Sequence, residues 1–149
     1  MCEAEKIMRC TKEDVADIVS ISCDLSKDGL VNALSVEELQ EAVASKGYYV
    51  VVVKDDEQVV GFSVSSYSWG KLHIEEVGVR RDVQRKGIGK KLITHLVKHA
   101  KKKKLPEVYC EVKEKNIPSL KLFLNAGFKQ RVFVPLGDGA FYGLYLPLD

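Results

Sequence analysis

A strand that breaks into a glycine turn and then a strongly amphipathic helix leaves a chain few ways to fold. Residues 72–91, LHIEEVGVRRDVQRKGIGKK, have that form. Residues 72–79 are rich in β-branched and apolar side chains, a strand pattern. Over 87–103, Ile88, Leu92, Ile93, Leu96, Val97 and Ala100 recur at helical spacing, and lysines and histidines mostly fill the opposite side. Such a helix has to bury its apolar stripe against a sheet, so the chain is expected to be an α/β (α+β) layer with a mixed sheet. The turn itself, Gln84-Arg85-Lys86-Gly87-Ile88-Gly89, has the makings of an anion site. The first amides of a helix lack intrahelical partners, the helix dipole favours negative charge there, and glycine lets a ligand come close. Arg85, Lys86 and Lys90 add positive charge suited to a diphosphate.

The charge distribution agrees. The formal net charge is +2, but residues 80–104 hold eleven Lys/Arg against Asp82 alone, leaving −8 for the remainder. Lys101–Lys104 read more simply as a solvated helix end, where cations are favourable. Two familiar phosphate signatures fail. GKK follows the second glycine where a Walker A loop needs GK[ST], and two mid-chain glycines fall short of the GxGxxG dinucleotide fingerprint. No helix-turn-helix, RNA-recognition aromatic motif or finger supports nucleic-acid binding.

The rest of the chain supplies the layer's other elements. Thr11 caps a helix expected over about 12–23, with Val15, Ile18, Val19 and Ser22 on one stripe. Ser35 and Glu38 form a capping-box pattern for a second helix, which Gly47 ends. Residues 48–53 and 59–67 read as an antiparallel hairpin about Asp55-Asp56-Glu57, and Gly61 inside it implies a bulge or a close neighbour. A short strand over 108–112, a helix from Pro118 to Gly127, and two strands about the turn Leu136-Gly137-Asp138-Gly139 complete the order α α β β β α β α β β. At 149 residues this is expected to be a single domain, 1–149. No run is long enough for a membrane span and no signal-peptide pattern opens the chain. Cys2, Cys10, Cys23 and Cys110 lack metal-ligand spacing and read as free thiols of a cytoplasmic protein, with no metal expected.

Two ordered motifs carry a family resemblance. Gln84, Gly87 and Gly89 match [Q/R]xxGxG/A, and Asn116, Ser119, Leu122, Gly127 and Phe128 match Nxx[A/S]xx[L/F]YxxxGF within NIPSLKLFLNAGF. The sequence resembles the GCN5-related N-acetyltransferase (GNAT) superfamily. The resemblance implies a central, largely antiparallel sheet splayed between strands four and five, with helices on both faces. It implies acetyl-CoA as donor, its pantetheine arm against Val77 and Val79 and its pyrophosphate on the amides of Arg85, Lys86, Gly87, Ile88, Gly89 and Lys90. In similar enzymes Asn116 falls near the arm. Phe123 departs from the family pattern, standing where a tyrosine is usual, and phenylalanine cannot protonate a leaving thiolate. Tyr109, Tyr142 and Tyr145 are candidate substitutes.

Direct transfer to an amine requires a neutral nucleophile and a group to take its proton. Alternation places His73, Glu75, Val77 and Val79 on one face and Leu72, Ile74, Glu76 and Gly78 on the other. Family members with a glutamate matching Glu75 use it to order a water beside the amine. Glu75 and Glu76 are the candidate bases; Glu75 is the expected base or amine anchor, with Glu76, on the opposite face, and His73 weaker alternatives. Residues 1–60 hold thirteen acids and six bases, which favours a cationic acceptor, either a small amine or a lysine or N-terminal amine of a peptide. Tyr48, Tyr49 and Tyr67 are candidate peptide clamps. Phe123 keeps open an alternative, a weakly catalytic or silent acetyl-CoA-binding regulatory domain. Homodimers are common among similar proteins, but no segment here shows an interface.

Overall fold

The structure, a computed structural model, describes residues 5–137 and 139–148. Its sheet has seven strands in the order β1-β2-β3-β4-β5-β7-β6. These are β1 (Glu5–Arg9), β2 (Tyr48–Asp55), β3 (Gln58–Ser68), β4 (Lys71–Val79), β5 (Glu107–Lys113), β6 (Lys129–Leu136) and β7 (Gly139–Pro147). Four helices flank it: α1 (Val15–Ser26), α2 (Val36–Ala44), α3 (Ile88–Lys102) and α4 (Ile117–Asn125). Strand β1 is an addition to the expected order. Only Ile7 of EKIMR packs on the core, and five residues at a sheet edge carry too little alternation to be read. Its presence makes residues 71–79 the fourth strand.

The box at the start of α2 acts as written, whereas α2 ends at Ala44 with Ser45 as its C-cap, before the expected stop at Gly47. Glu38 N–H donates to Ser35 Oγ at 3.0 Å and Ser35 N–H to Glu38 Oε1 at 3.1 Å, satisfying two amides at the start of α2. Pro118 lies in the first turn of α4, as the motif required. Thr11 caps a short 3-10 turn, Lys12–Asp14, and α1 itself runs from Val15 three residues beyond the expected end.

Two apolar layers sandwich the sheet. On one face Val51, Val53, Leu72 and Ile74 meet Leu92, Ile93 and Leu96 of α3 and Phe123 of α4. On the other Val50, Val52, Phe62 and Val64 meet Ile18 and Ile21 of α1 and Leu39 of α2. The register slips between Val53 and Lys54 opposite Gly61, and a Cβ on Gly61 would lie 3.2 Å from Ile88 Cγ2. Gly61 therefore has both a bulge beside it and a close neighbour. Cys10, Cys23 and Cys110 are unpaired, and Cys2 and Asp138 lie outside the described residues. Among the described residues no helix is long and apolar enough to cross a membrane.

Strands β4 and β5 are the only parallel neighbours among the described residues, and they pair over three residues: Leu72 with Val108, His73 with Tyr109 and Ile74 with Cys110. Beyond Ile74 the pairing ends and the strands diverge, while β3 keeps hold of β4 to Val79 and β7 keeps hold of β5 to Lys113. Backbone groups on the inner edges of both strands are thereby left without each other at mid-sheet, which is a place for an extended ligand.

Candidate active site

The divergence opens a cleft of ≈ 280 Å³, lined by Glu75, Glu76 and Val77 from β4 and by Glu111, Val112 and Lys113 from β5. Asn116, Ser119 and Phe123 of α4 and Val31 and Asn32 between α1 and α2 complete its walls. A second groove of ≈ 600 Å³ adjoins it, sharing Lys113 and Phe141 and bounded by Asp28–Leu30 and the β6–β7 turn.

The simple alternation expected of β4 fails. Val64 of β3 pairs with Glu76 but Ser65 pairs with Ile74, so Glu75 is an extra residue in the ladder. The bulge reverses the parity beyond it. Leu72 and Ile74 share the α3 face with Val77 and Val79, while a Cβ on Gly78 would meet Phe62 on the opposite face. His73 therefore does not share a face with Val77 and Val79. Instead it stacks on Tyr109 with ring centroids 4.4 Å apart, and its Nε2 lies 2.6 Å from Glu111 Oε1 and its Nδ1 3.9 Å from Glu75 Oε2.

The two glutamates differ in environment. Glu75 stands at the cleft mouth with 37% of its side chain exposed. Glu76 is half-buried, its Oε2 inaccessible and without a hydrogen-bond partner. Burial pushes its carboxyl from 4.5 up to about 7, with Lys113 pulling downward and Glu75 adding to the rise. A carboxyl poised near neutrality in a cleft is the expected condition of a general base. Simple alternation turns Glu76 away from the site, so sequence reasoning names it as a candidate but ranks it below Glu75. It misses Glu111 and Lys113, since nothing in VYCEVKEK marks those two among its charges.

At the far end of β4 the turn is built as its glycines suggested. Gly87 has φ +85° and Arg85 φ +69°, so the chain coils tightly before α3. The first i→i−4 bond there is Lys91 N–H to Gly87 C=O at 3.0 Å, which places the amides of Ile88, Gly89 and Lys90 ahead of it. A Cβ on Gly87 would meet nothing within 4 Å, so the space above the amides is open and fits a diphosphate. Gly89 serves packing as well, because its Cβ would lie 3.0 Å from Leu122 Cδ2. Gln84 braces the turn, its Nε2 donating to Val79 C=O at 2.9 Å.

Other expected residues take different places. Asn116 lines the cleft and caps α4, its Oδ1 accepting from Ser119 N–H at 3.3 Å. Phe123 is 3% exposed and meets Phe128 edge-on at 5.1 Å. None of Tyr109, Tyr142 and Tyr145 lines the cleft; Tyr142 packs on Phe133 and Tyr145 lies under Arg131. Tyr49 and Tyr67 lie beneath α3, bonded to His95 and His99 respectively, and neither lines the cleft.

Residues 19–128 match the Acetyltransferase (GNAT) family. The chain belongs to this family. A GNAT member of this kind is an acetyl-CoA-dependent N-acetyltransferase. The chain is 29% identical over 130 residues to an N-alpha-acetyltransferase of Sulfurisphaera tokodaii, covering 78% of this chain and 75% of that protein. In fold it is similar to yncA of Salmonella typhimurium, solved with its cofactor acetyl-CoA. The TM-score is 0.84 at 22% identity, over 99% of this chain and 95% of that one. It is also similar to the PaiA N-acetyltransferase of Thermoplasma acidophilum solved with coenzyme A, with TM-score 0.83 at 18% identity over 97% and 99% of the two chains. Those two likenesses establish the GNAT fold.

Proposed function

We propose that this enzyme acetylates a primary amine on a cationic molecule, either a small polyamine-like compound or the lysine or N-terminal amine of a peptide. The observation that carries this reading is the cleft's three carboxylates, Glu75, Glu76 and Glu111, with Glu76 shifted to about 7 and its Oε2 lacking a partner. An ammonium entering the cleft is attracted by all three. Glu76 then takes its proton at near-neutral pH, while Glu75 at the mouth and Glu111, fixed by His73, anchor the cation. The adjoining groove has room for the rest of the acceptor molecule, and the Sulfurisphaera tokodaii relative's name favours a peptide N-terminus among these acceptors.

The donor's acyl group is already activated as a thioester, so no acyl-enzyme is required. On our reading the amides from Arg85 to Lys90 hold the diphosphate with Arg85, Lys86 and Lys90 as counter-charges, and Gly87 keeps the approach clear. Gln84 steadies this turn. Val77 and Val79 line the arm's path in the β4–β5 gap, and Asn116 and Phe123 bound its reactive end. The free thiols suit a cytoplasmic setting.

The test is acetyl-CoA titration by calorimetry, followed by thiol release against spermidine, an aminoglycoside, a lysine-rich peptide and peptides with free N-termini. Single-site binding and release with at least one cationic amine are expected, the rate rising with pH through about 7. Phe123 favours a second reading, a silent acetyl-CoA-binding domain. Binding without thiol release across the panel would select it.

A further inference from the structure

The segment between α1 and α2 supplies Val31 and Asn32 to the cleft and Asp28 to the groove beside it. Two cations hold it from opposite sides. Arg81, just after β4, donates from Nε to Asp24 at 2.8 Å and from Nη2 to Asp28 at 2.9 Å. Lys113, the last residue of β5, reaches over the cleft, its Nζ donating to Gly29 C=O at 3.1 Å and Asn32 Oδ1 at 3.4 Å. These bonds join residues 84 and 81 apart in sequence, so they exist only when the α1–α2 connection is closed on β5. Lys113 borders both the cleft and the groove, on the path between the proton acceptor and the body of an acceptor molecule.

We propose that Lys113 is a positioning residue of the acceptor pocket, holding the α1–α2 connection as its wall while presenting a cation to the Glu76 carboxylate. This rests on the reading of Glu76 as the base. Several charged groups surround Glu76. Strand β4 contributes Glu75 and His73, and β5 contributes Glu111 and Lys113. From the α1–α2 side the cleft is lined by the uncharged Val31 and Asn32, and Asp24 and Asp28 are paired with Arg81. Glu75 acts in the same direction as burial, and Lys113 opposes both. Loss of the Lys113 charge should therefore raise the pH at which Glu76 ionises, and loss of its hydrogen bonds should loosen the wall.

Two readouts need no acceptor. In protein labelled with 13C at glutamate carboxyls, the Glu76 resonance is assigned by its absence in Glu76→Gln and titrated in the parent, Lys113→Met and Lys113→Arg. The midpoint should rise by on the order of 0.5 pH unit in Lys113→Met and stay with the parent in Lys113→Arg. Amide hydrogen exchange of residues 27–34 should be on the order of tenfold faster in Lys113→Met and in Asn32→Ala, the latter with an unmoved midpoint. An unchanged midpoint and unchanged exchange in Lys113→Met would overturn the assignment of Lys113. Failure of the Glu76 reading is separate: Glu76→Gln would then keep the parent's acidic limb of thiol release with spermidine.

Discussion

Replacing Glu76 with glutamine should make the protein more stable and less active, by amounts that depend on pH. The unfolded chain holds this carboxyl near 4.5 and the folded chain near 7. Below about 4.5 both states carry the proton and titration costs nothing. Between the two values the unfolded state releases its proton while the native state keeps it, so parent stability falls as pH rises. Above about 7 both are ionised and the penalty levels off. At about 1.4 kcal/mol for each pH unit separating the two values, it reaches about 3–4 kcal/mol at most, water in the cleft reducing it. Glutamine cannot ionise, so the stability gap between variant and parent should open from pH 5 to 8 and then stay level. Urea denaturation of both proteins at several pH values measures it. Glutamine's own amide shifts the gap by a constant, which leaves the pH dependence diagnostic. A gap independent of pH would refute the argument that burial holds Glu76 protonated. In the same variant, turnover should lose the tenfold-per-unit acidic limb below about pH 7 that the parent shows.

Three other substitutions separate packing from ligand contact. A Cβ at Gly87 meets no neighbour and the strain of φ +85° costs about 1–2 kcal/mol, so Gly87→Leu should fold and lose acetyl-CoA affinity at least about tenfold by calorimetry. Unchanged affinity would remove the diphosphate from this turn. Gly78→Ala puts a Cβ 2.3 Å from Phe62 Cε1, and overpacking of about 1–3 kcal/mol should lower Tm by several degrees. An unaltered Tm would mean that the two layers yield more easily than their packing suggests. Phe123→Tyr adds a hydroxyl to a cleft that no described tyrosine lines. If departure of the thiolate limits turnover, kcat rises severalfold at unchanged acetyl-CoA KM; an unchanged kcat would show that proton donation by this position is not needed.

Local chemistry made much of this protein legible from its residues. The glycine turn, the apolar stripe of α3, the Ser35–Glu38 box and Pro118 at the head of α4 each follow from neighbours within a few positions, where amide satisfaction and helical periodicity decide the outcome. The two GNAT motifs lie at such places, and so the family, the splayed sheet and the donor were within reach. Strand β1 was not, because an edge strand with one core side chain depends on the β2 it pairs with rather than on its own pattern. The identity of the proposed base was decided further still from the sequence. One bulged residue in β4, set by its register against β3, turned Glu76 into the cleft, and burial raised its carboxyl to neutrality. Lys113 acquires its partners only by crossing to a segment more than eighty residues away. Periodicity describes a residue's neighbours along the chain; parity across a bulge, desolvation and reach over a cleft are properties of elements brought together, and the tertiary structure alone supplies them.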